Sequence, residues 1–266
     1  MSALVALLTD YGLEDTYVAQ LKSVILQMSA GVAFLDLTHS VPPQQVRSGA
    51  YLLATAVPYL PEGTFVVAVV DPGVGTARRA VAVQAQRHTY LAPDNGLLAL
   101  ALREDPPLNA VVLDNPRYHL PRVSATFHGR DIFAPACAHL INGVPIERLG
   151  SPISPSELMG LPDFEAEWDG SAFRCVPLHI DHFGNVILNL TESQARQRLG
   201  ERIGSLEVVL EGNRVVPFGR TFGDVGWGEP VAYWGSSGHL EVAINGGSAR
   251  EVLGLQEASR IWVRPI

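Results

Sequence analysis

The strongest constraint on this chain is the alternation, through its first half, of short apolar runs with segments of helical period. Residues 3–8 form an apolar run of strand length, and residues 16–28 follow with Val18, Leu21, Val24, Ile25 and Met28 at helical spacing. Residues 32–37 predict a second strand. Residues 44–60 predict a second helix through Val46, Ala50, Leu53, Ala54 and Val57. Residues 64–70 are apolar and rich in β-branched side chains, as a strand covered on both faces should be. Residues 80–86, 89–91 and 110–113 predict further strands, and 96–103 and 129–141 further helices. This order predicts an α/β fold: a mostly parallel sheet with helices on both faces, an α/β/α sandwich.

The pattern changes after residue 150. Pro152, Pro155, Pro162 and a run of acids break the periodicity, so a first domain over 1–158 and a linker over 159–171 are expected. Residues 172–266 then carry short strand candidates at 175–180, 186–190, 206–210, 215–218, 231–234, 240–244 and 260–263. Thr191-Glu192-Ser193-Gln194 reads as a capping box opening one short helix. The expectation is a smaller, antiparallel C-terminal domain, β-barrel-like or a sandwich.

Composition narrows the function. With 266 residues, 47% hydrophobic and 17% charged, the chain can bury a large core, which excludes a disordered or disulfide-stapled protein. A net charge of −8 argues against nucleic acid or an anionic membrane as the main partner. Two cysteines, Cys137 and Cys175, make neither a disulfide framework nor a CxxC zinc site. No apolar stretch approaches the ~20 residues of a membrane span. The first apolar run lacks a basic start and is cut short by Asp10, so it reads as a buried strand and not an export signal. A soluble cytoplasmic protein is expected.

Polar motifs interrupt this framework at strand ends and turns. Asp10, in Thr9-Asp10-Tyr11-Gly12, either caps the next helix or offers two acceptor oxygens to a ribose diol. Asp71-Pro72-Gly73-Val74-Gly75-Thr76-Ala77-Arg78-Arg79 follows the most apolar strand; it is an ordinary Asp-Pro-Gly turn or a loop whose glycines let backbone approach a ligand. It lacks the GK[ST] of a phosphate-binding loop. Ala92-Pro93-Asp94-Asn95-Gly96 reads as a plain turn. His128, ahead of a predicted helix, is a structural donor or a positioning group. Asp181 and Asn185 mark one predicted hairpin tip, and Ser236 and Ser237 another. No His, Cys, Asp or Glu spacing makes a metal site, and Cys137 reads as core.

Taken in order, the blocks LTDYGLEDTYV, DLTHSVPP, VVDPGVGTARR, APDNGLL, TFHGRDIFAPACAHL, HIDHFGNVILN and GSSGHLEVAINGG resemble the S-adenosyl-L-methionine (SAM) hydroxide adenosyltransferases, adenosine-forming relatives of the fluorinases and chlorinases. The resemblance implies hydrolysis of SAM to adenosine and L-methionine without metal or cofactor. It also implies a homotrimer whose ligand lies between one subunit's N-terminal domain and its neighbour's C-terminal domain. The family's Asp–Arg–His set falls on Asp71, Arg78 and His128. Asp10 matches the ribose contact, and Asp181 and Asn185 match contacts to the methionine amine and adenine. Ser236, Ser237 and Asn245 match the segment touching the methionine carboxylate and adenine. The halogenases place Tyr and Thr where this chain has Asp71 and Val74, and a Trp near Gln44 has no counterpart. An acid at the point of attack repels halide and accepts a hydrogen bond from water. A SAM-dependent halogenase and a non-catalytic SAM or adenosine sensor are the alternatives.

Overall fold

Residues 3–266 are described by a computed structural model, and they separate into a unit ending at Leu161 and a unit spanning Pro162–Ile266. The first unit holds β1 (Ala3–Thr9), α1 (Tyr17–Met28), β2 (Val32–Thr38), α2 (Val46–Ala56), β3 (Phe65–Val69), β4 (Ala80–Ala85), β5 (Thr89–Pro93), α3 (Ala101–Glu104), β6 (Pro107–Val112), α4 (Ala134–Ile141) and β7 (Pro152–Ile153). The strands form one seven-stranded sheet in the order β2-β1-β3-β5-β4-β6-β7. Its side chains alternate between two buried faces. Val5, Leu7, Val67 and Val69 pack with Leu21, Ile25, Phe133 and Cys137. Ala6, Leu8, Val66 and Ala68 pack with Leu53, Val57 and Leu97. Each large side chain so buried contributes about 1.5–3 kcal/mol.

The sheet is mixed, which corrects the expected mostly parallel arrangement. β1–β2, β1–β3 and β3–β5 pair parallel, whereas β4–β5, β4–β6 and β6–β7 pair antiparallel. The connection from β4 to β5 is a tight turn closed by Ala85 N–H on His88 C=O, and a link so short allows only a hairpin. The helix expected over 96–103 contracts to α3. Gly96 sits at φ +94° and Asn95 Oδ1 accepts Leu97 N–H, so this stretch begins as a turn.

The second unit holds β8 (Glu167–Trp168), β9 (Phe173–Cys175), β10 (Pro177–Ile180), β11 (Val186–Thr191), α5 (Glu192–Leu199), β12 (Leu206–Leu210), β13 (Arg214–Pro217), β14 (Pro230–Trp234), β15 (His239–Ile244), α6 (Ala249–Leu253) and β16 (Ile261–Pro265). They make two antiparallel sheets, β10-β11-β15-β14 and β13-β12-β16-β9-β8, sharing a core of Phe173, Leu188, Val208, Val242 and Ile261. Among the described residues the two sheets do not close into a barrel, and the antiparallel character expected of this unit holds. The strand expected over 175–180 is divided between them. Asn189 Oδ1 takes the N–H of Val176 and Pro177 has none to give, so pairing breaks at that point. Part of the stretch expected as a linker is built into this unit: β8 pairs with β9, and Ala166 is buried in the core. Thr191 caps α5 by accepting Gln194 N–H, but the Gln194 side chain donates to Ala166 C=O, leaving the reciprocal half of the capping box unmade.

Candidate active site

Asp10 and Asp71 leave the large sheet side by side. β1 and β3 are parallel neighbours with Thr9 opposite Val69, so the residues that follow emerge at the same carboxyl edge. The strand order reverses beside β1, with β2 on one side and β3 on the other. Such a switch point is where open α/β sheets bind ligands. The nearness is felt electrostatically. Burial raises the Asp10 pKa, the Gln44 backbone N–H opposes this, and the negative charge of Asp71 adds to the rise.

Arg78 returns to Asp71 across a tight loop. Val74 N–H donates to Asp71 C=O, and the Thr76 N–H and hydroxyl both donate to Gly73 C=O. Arg78 Nε lies 2.9 Å from each Asp71 oxygen, and Nη2 also donates to Asp71 Oδ2. The two side chains are only 6% and 9% exposed. The same Nη2 lies 2.8 Å from His128 Nδ1, so one guanidinium joins all three residues. The Phe133 ring lies beneath it, 5.6 Å from Cζ.

Two glycines permit this convergence. Gly75 has φ +77°, and a Cβ there would collide with Ala125 C=O, so its absence lets the loop after β3 touch the loop before His128. A Cβ on Gly129 would collide with the Tyr11 hydroxyl, so the β1 loop packs against the residue after His128. Tyr11 also meets Phe127 edge-on at 5.6 Å. Burial, with Asp10 and Asp71 nearby, drives its phenol pKa far up, so it stays protonated. Gly129–Phe133 is a π-helical turn entering α4, a distortion frequent at functional sites.

The hydrogen bond to Arg78 fixes the state of His128. A guanidinium only donates, so Nδ1 must accept and the ring proton sits on Nε2. Burial, then the Arg78 charge, push the His128 pKa below its ordinary value, which keeps the ring neutral. The second arginine of the loop is held by an ion pair of its own. Arg79 Nε donates to Asp94 Oδ2 at 2.8 Å, and Asp94 Oδ1 accepts Met159 N–H.

The remaining sequence candidates lie in the second unit. Asp181 Oδ1 accepts the N–H groups of Phe183 and Asn185, and Asn185 Nδ2 donates to Asp181 Oδ2 at 2.9 Å, so these two form one tip. Ser236 and Ser237 sit in the turn between β14 and β15, closed by Gly238 N–H on Gly235 C=O. Asn245 Nδ2 donates to Val225 C=O, which ties it to the adjoining loop. Sequence reasoning missed Glu241. Its carboxyl accepts the Tyr233 hydroxyl at 3.1 Å and lies where a Cβ on Gly235 would be. Burial raises its pKa, with Asp181 adding to the rise. Among the described residues no three His, Cys, Asp or Glu side chains converge as metal ligands. Cys137 and Cys175 are buried thiols whose pKa burial drives upward, which suits core packing and not nucleophilic attack.

Comparison with known proteins identifies the family. Residues 5–150 match the SAM hydroxide adenosyltransferase N-terminal domain, and residues 177–262 match the C-terminal domain of the same name. An (R)-S-adenosyl-L-methionine hydrolase from Thermus thermophilus is 50% identical, over 94% of this chain and 95% of its own. A fluorinase from Nocardia brasiliensis is 29% identical over 98% and 96%. The crystal structure of an uncharacterised conserved protein from Thermotoga maritima superposes with a TM-score of 0.85 at 32% identity, covering 97% of this chain and 99% of that one. The chain therefore belongs to the SAM hydroxide adenosyltransferase family.

Proposed function

We propose that this protein hydrolyses SAM to adenosine and L-methionine by in-line attack of one water on the ribose C5′. The supporting observation is the Arg78 guanidinium bonded to both Asp71 and His128. The water oxygen forms a bond to C5′ while the C5′–S bond breaks, and its electron pair stays on sulfur as a neutral thioether. The sulfonium is already a good leaving group, so the protein's task is to hold the water in near-attack geometry. His128, neutral with its proton on Nε2, donates to that oxygen. Asp71 retains acceptor capacity beyond the Arg78 contacts and takes the water's proton, which then passes to solvent. Arg78 stays cationic throughout and favours the hydroxide character that develops in attack.

Asp10 accepts the ribose hydroxyls. Asp181 and Asn185 read the methionine amine and the adenine, and Ser236, Ser237 and Asn245 complete the contacts to the carboxylate and base. The active assembly is a cytoplasmic homotrimer, with ligand held between the first unit of one subunit and the second unit of its neighbour. Incubation with SAM, followed by chromatography, tests the reaction. Equal release of adenosine and methionine is expected. Formation of 5′-halo-5′-deoxyadenosine in excess halide would replace this reading with the halogenase. Tight SAM binding without methionine release would replace it with the sensor. Light scattering at the mass of a monomer would overturn the shared site.

A further inference from the structure

The block DLTHSVPP has no part in the chemistry above, yet it and the Gln44 that follows hold the chain on both sides of Asp10. At the end of β2 the register slips, from Leu7 opposite Asp36 to Leu8 opposite Thr38, and this bulge turns the chain back over β1. His39 is thereby buried, with Nδ1 2.8 Å from Thr9 Oγ1. Its Nε2 lies 3.2 Å from Asp36 Oδ1, at ion-pair distance though off the line of a hydrogen bond. Asp36 Oδ2 accepts Lys22 Nζ at 2.7 Å. A carboxylate facing Nε2 calls for the ring proton on that nitrogen, so in the neutral ring Nδ1 accepts the Thr9 hydroxyl. Thr9 Oγ1 in turn accepts the Tyr11 N–H at 3.2 Å.

The backbone repeats the pattern. Gly12 N–H donates to His39 C=O, and Val41 N–H donates to Thr9 C=O. Gln44 N–H donates to Asp10 Oδ2 at 2.9 Å from a residue at φ +65°, a left-handed conformation that the surroundings must hold. The residues flanking Asp10 and one of its own oxygens are thus fixed to the 36–44 segment. A carboxylate that takes both hydroxyls of a diol needs its plane set in advance.

We propose that Thr9 and His39, backed by Asp36, form a positioning relay that sets the Asp10 carboxylate for a vicinal ribose diol. This rests on the reading of Asp10 as the diol acceptor. The test is calorimetric binding of adenosine and 2′-deoxyadenosine to the full-length protein, alongside KM and kcat for SAM. The native protein should prefer adenosine by about 10- to 100-fold, the worth of one charge-assisted hydrogen bond. Thr9→Val keeps the side-chain shape and removes the relay hydroxyl. It should lower adenosine affinity about 5- to 10-fold, leave 2′-deoxyadenosine within about twofold, and raise KM without changing kcat. Thr9→Ser should restore the preference. Equal loss for both nucleosides would mean general distortion and overturn the relay. If Asp10→Asn abolishes the preference while Thr9→Val keeps it, the relay falls and the diol reading stands. If Asp10→Asn keeps the preference, both fall. Should Thr9→Val fail to fold, Asp36→Asn at the half-exposed outer end makes the same comparison. A preference reduced about threefold supports the relay, and an unchanged one overturns it.

Discussion

Arg78→Lys separates charge from geometry at the site. The guanidinium reaches both oxygens of Asp71 through Nε and, through Nη2, Asp71 Oδ2 and His128 Nδ1. A lysine ammonium has one nitrogen and no fork, so it keeps the ion pair with Asp71 and gives up the bond to His128. A hydrogen bond from a charged donor is worth about 1.5–3 kcal/mol. If that bond is felt fully in the transition state, kcat falls about 10- to 150-fold. The melting temperature should change little, because the Asp71 carboxylate, 6% exposed, still faces a cation. Arg78→Met supplies the contrast. It leaves that carboxylate buried without its partner and should destabilise the protein by about 3–5 kcal/mol. The assay is initial-rate release of adenosine at saturating SAM, paired with thermal melts of each variant. A lysine variant with kcat within twofold of the native protein would refute the role given to the Arg78–His128 contact.

Asp71→Asn removes the proposed proton acceptor with little change of shape, so kcat should fall about 10²- to 10⁴-fold while KM for SAM stays nearly constant. An intact kcat would remove Asp71 from the chemistry. Gly75→Ala must place a Cβ against Ala125 C=O at φ +77°, so it should separate the loops carrying Arg78 and His128. A loss of about 1–3 kcal/mol in denaturant unfolding, with a larger relative loss of kcat, is expected, and native values for both would contradict the close approach. Burial lowers the pKa of His88, His119, His128, His139, His179 and His239. Groups depressed in the fold take up protons first when unfolded, so stability is full above the unfolded imidazole value near 6.5 and declines as pH falls below it. Each group adds at most about 1.4 kcal/mol per pH unit, and urea unfolding that is flat between pH 7.5 and 5.5 would show that these imidazoles are not held neutral.

Much of the first unit is legible because burial on both faces leaves an unmistakable record: residues 65–70 contain no side chain that tolerates water well, and β3 lies inside the sheet. Direction is less legible. An apolar run reads the same whether its neighbour is parallel or antiparallel, and only the shortness of the turn after β4 distinguishes them. The division at Val176 was hidden because its cause, the side chain of Asn189, lies 13 residues on. Asp71 and Arg78 could be paired on paper by a seven-residue spacing in one loop. That Arg78 also reaches His128, 50 residues away, depends on a contact between Gly75 and Ala125 that no local pattern announces. Thr9 and His39 were illegible for the same reason: each is unremarkable alone, and a bulge brings them together.

The hydrogen bonds already made within the Asp71–Arg78–His128 set define what it can still do. Arg78 spends its Nε and Nη2 protons on the other two, and His128 spends its only lone pair on Arg78. Unused capacity then remains as acceptor sites on Asp71, one donor on His128 Nε2 and the Nη1 donors of Arg78, which neither Asp71 nor His128 takes up. An attacking water needs an acceptor for the proton it sheds and benefits from a donor that orients its oxygen. A halide has no proton to shed and is repelled by the carboxylate. The donors on Arg78 and His128 would serve water or an anion alike, so the proposed preference for water rests on the acceptor capacity of Asp71. A ¹⁵N spectrum of His128 with the proton on Nδ1 would be incompatible with the Arg78–His128 contact and would refute the role proposed for the trio.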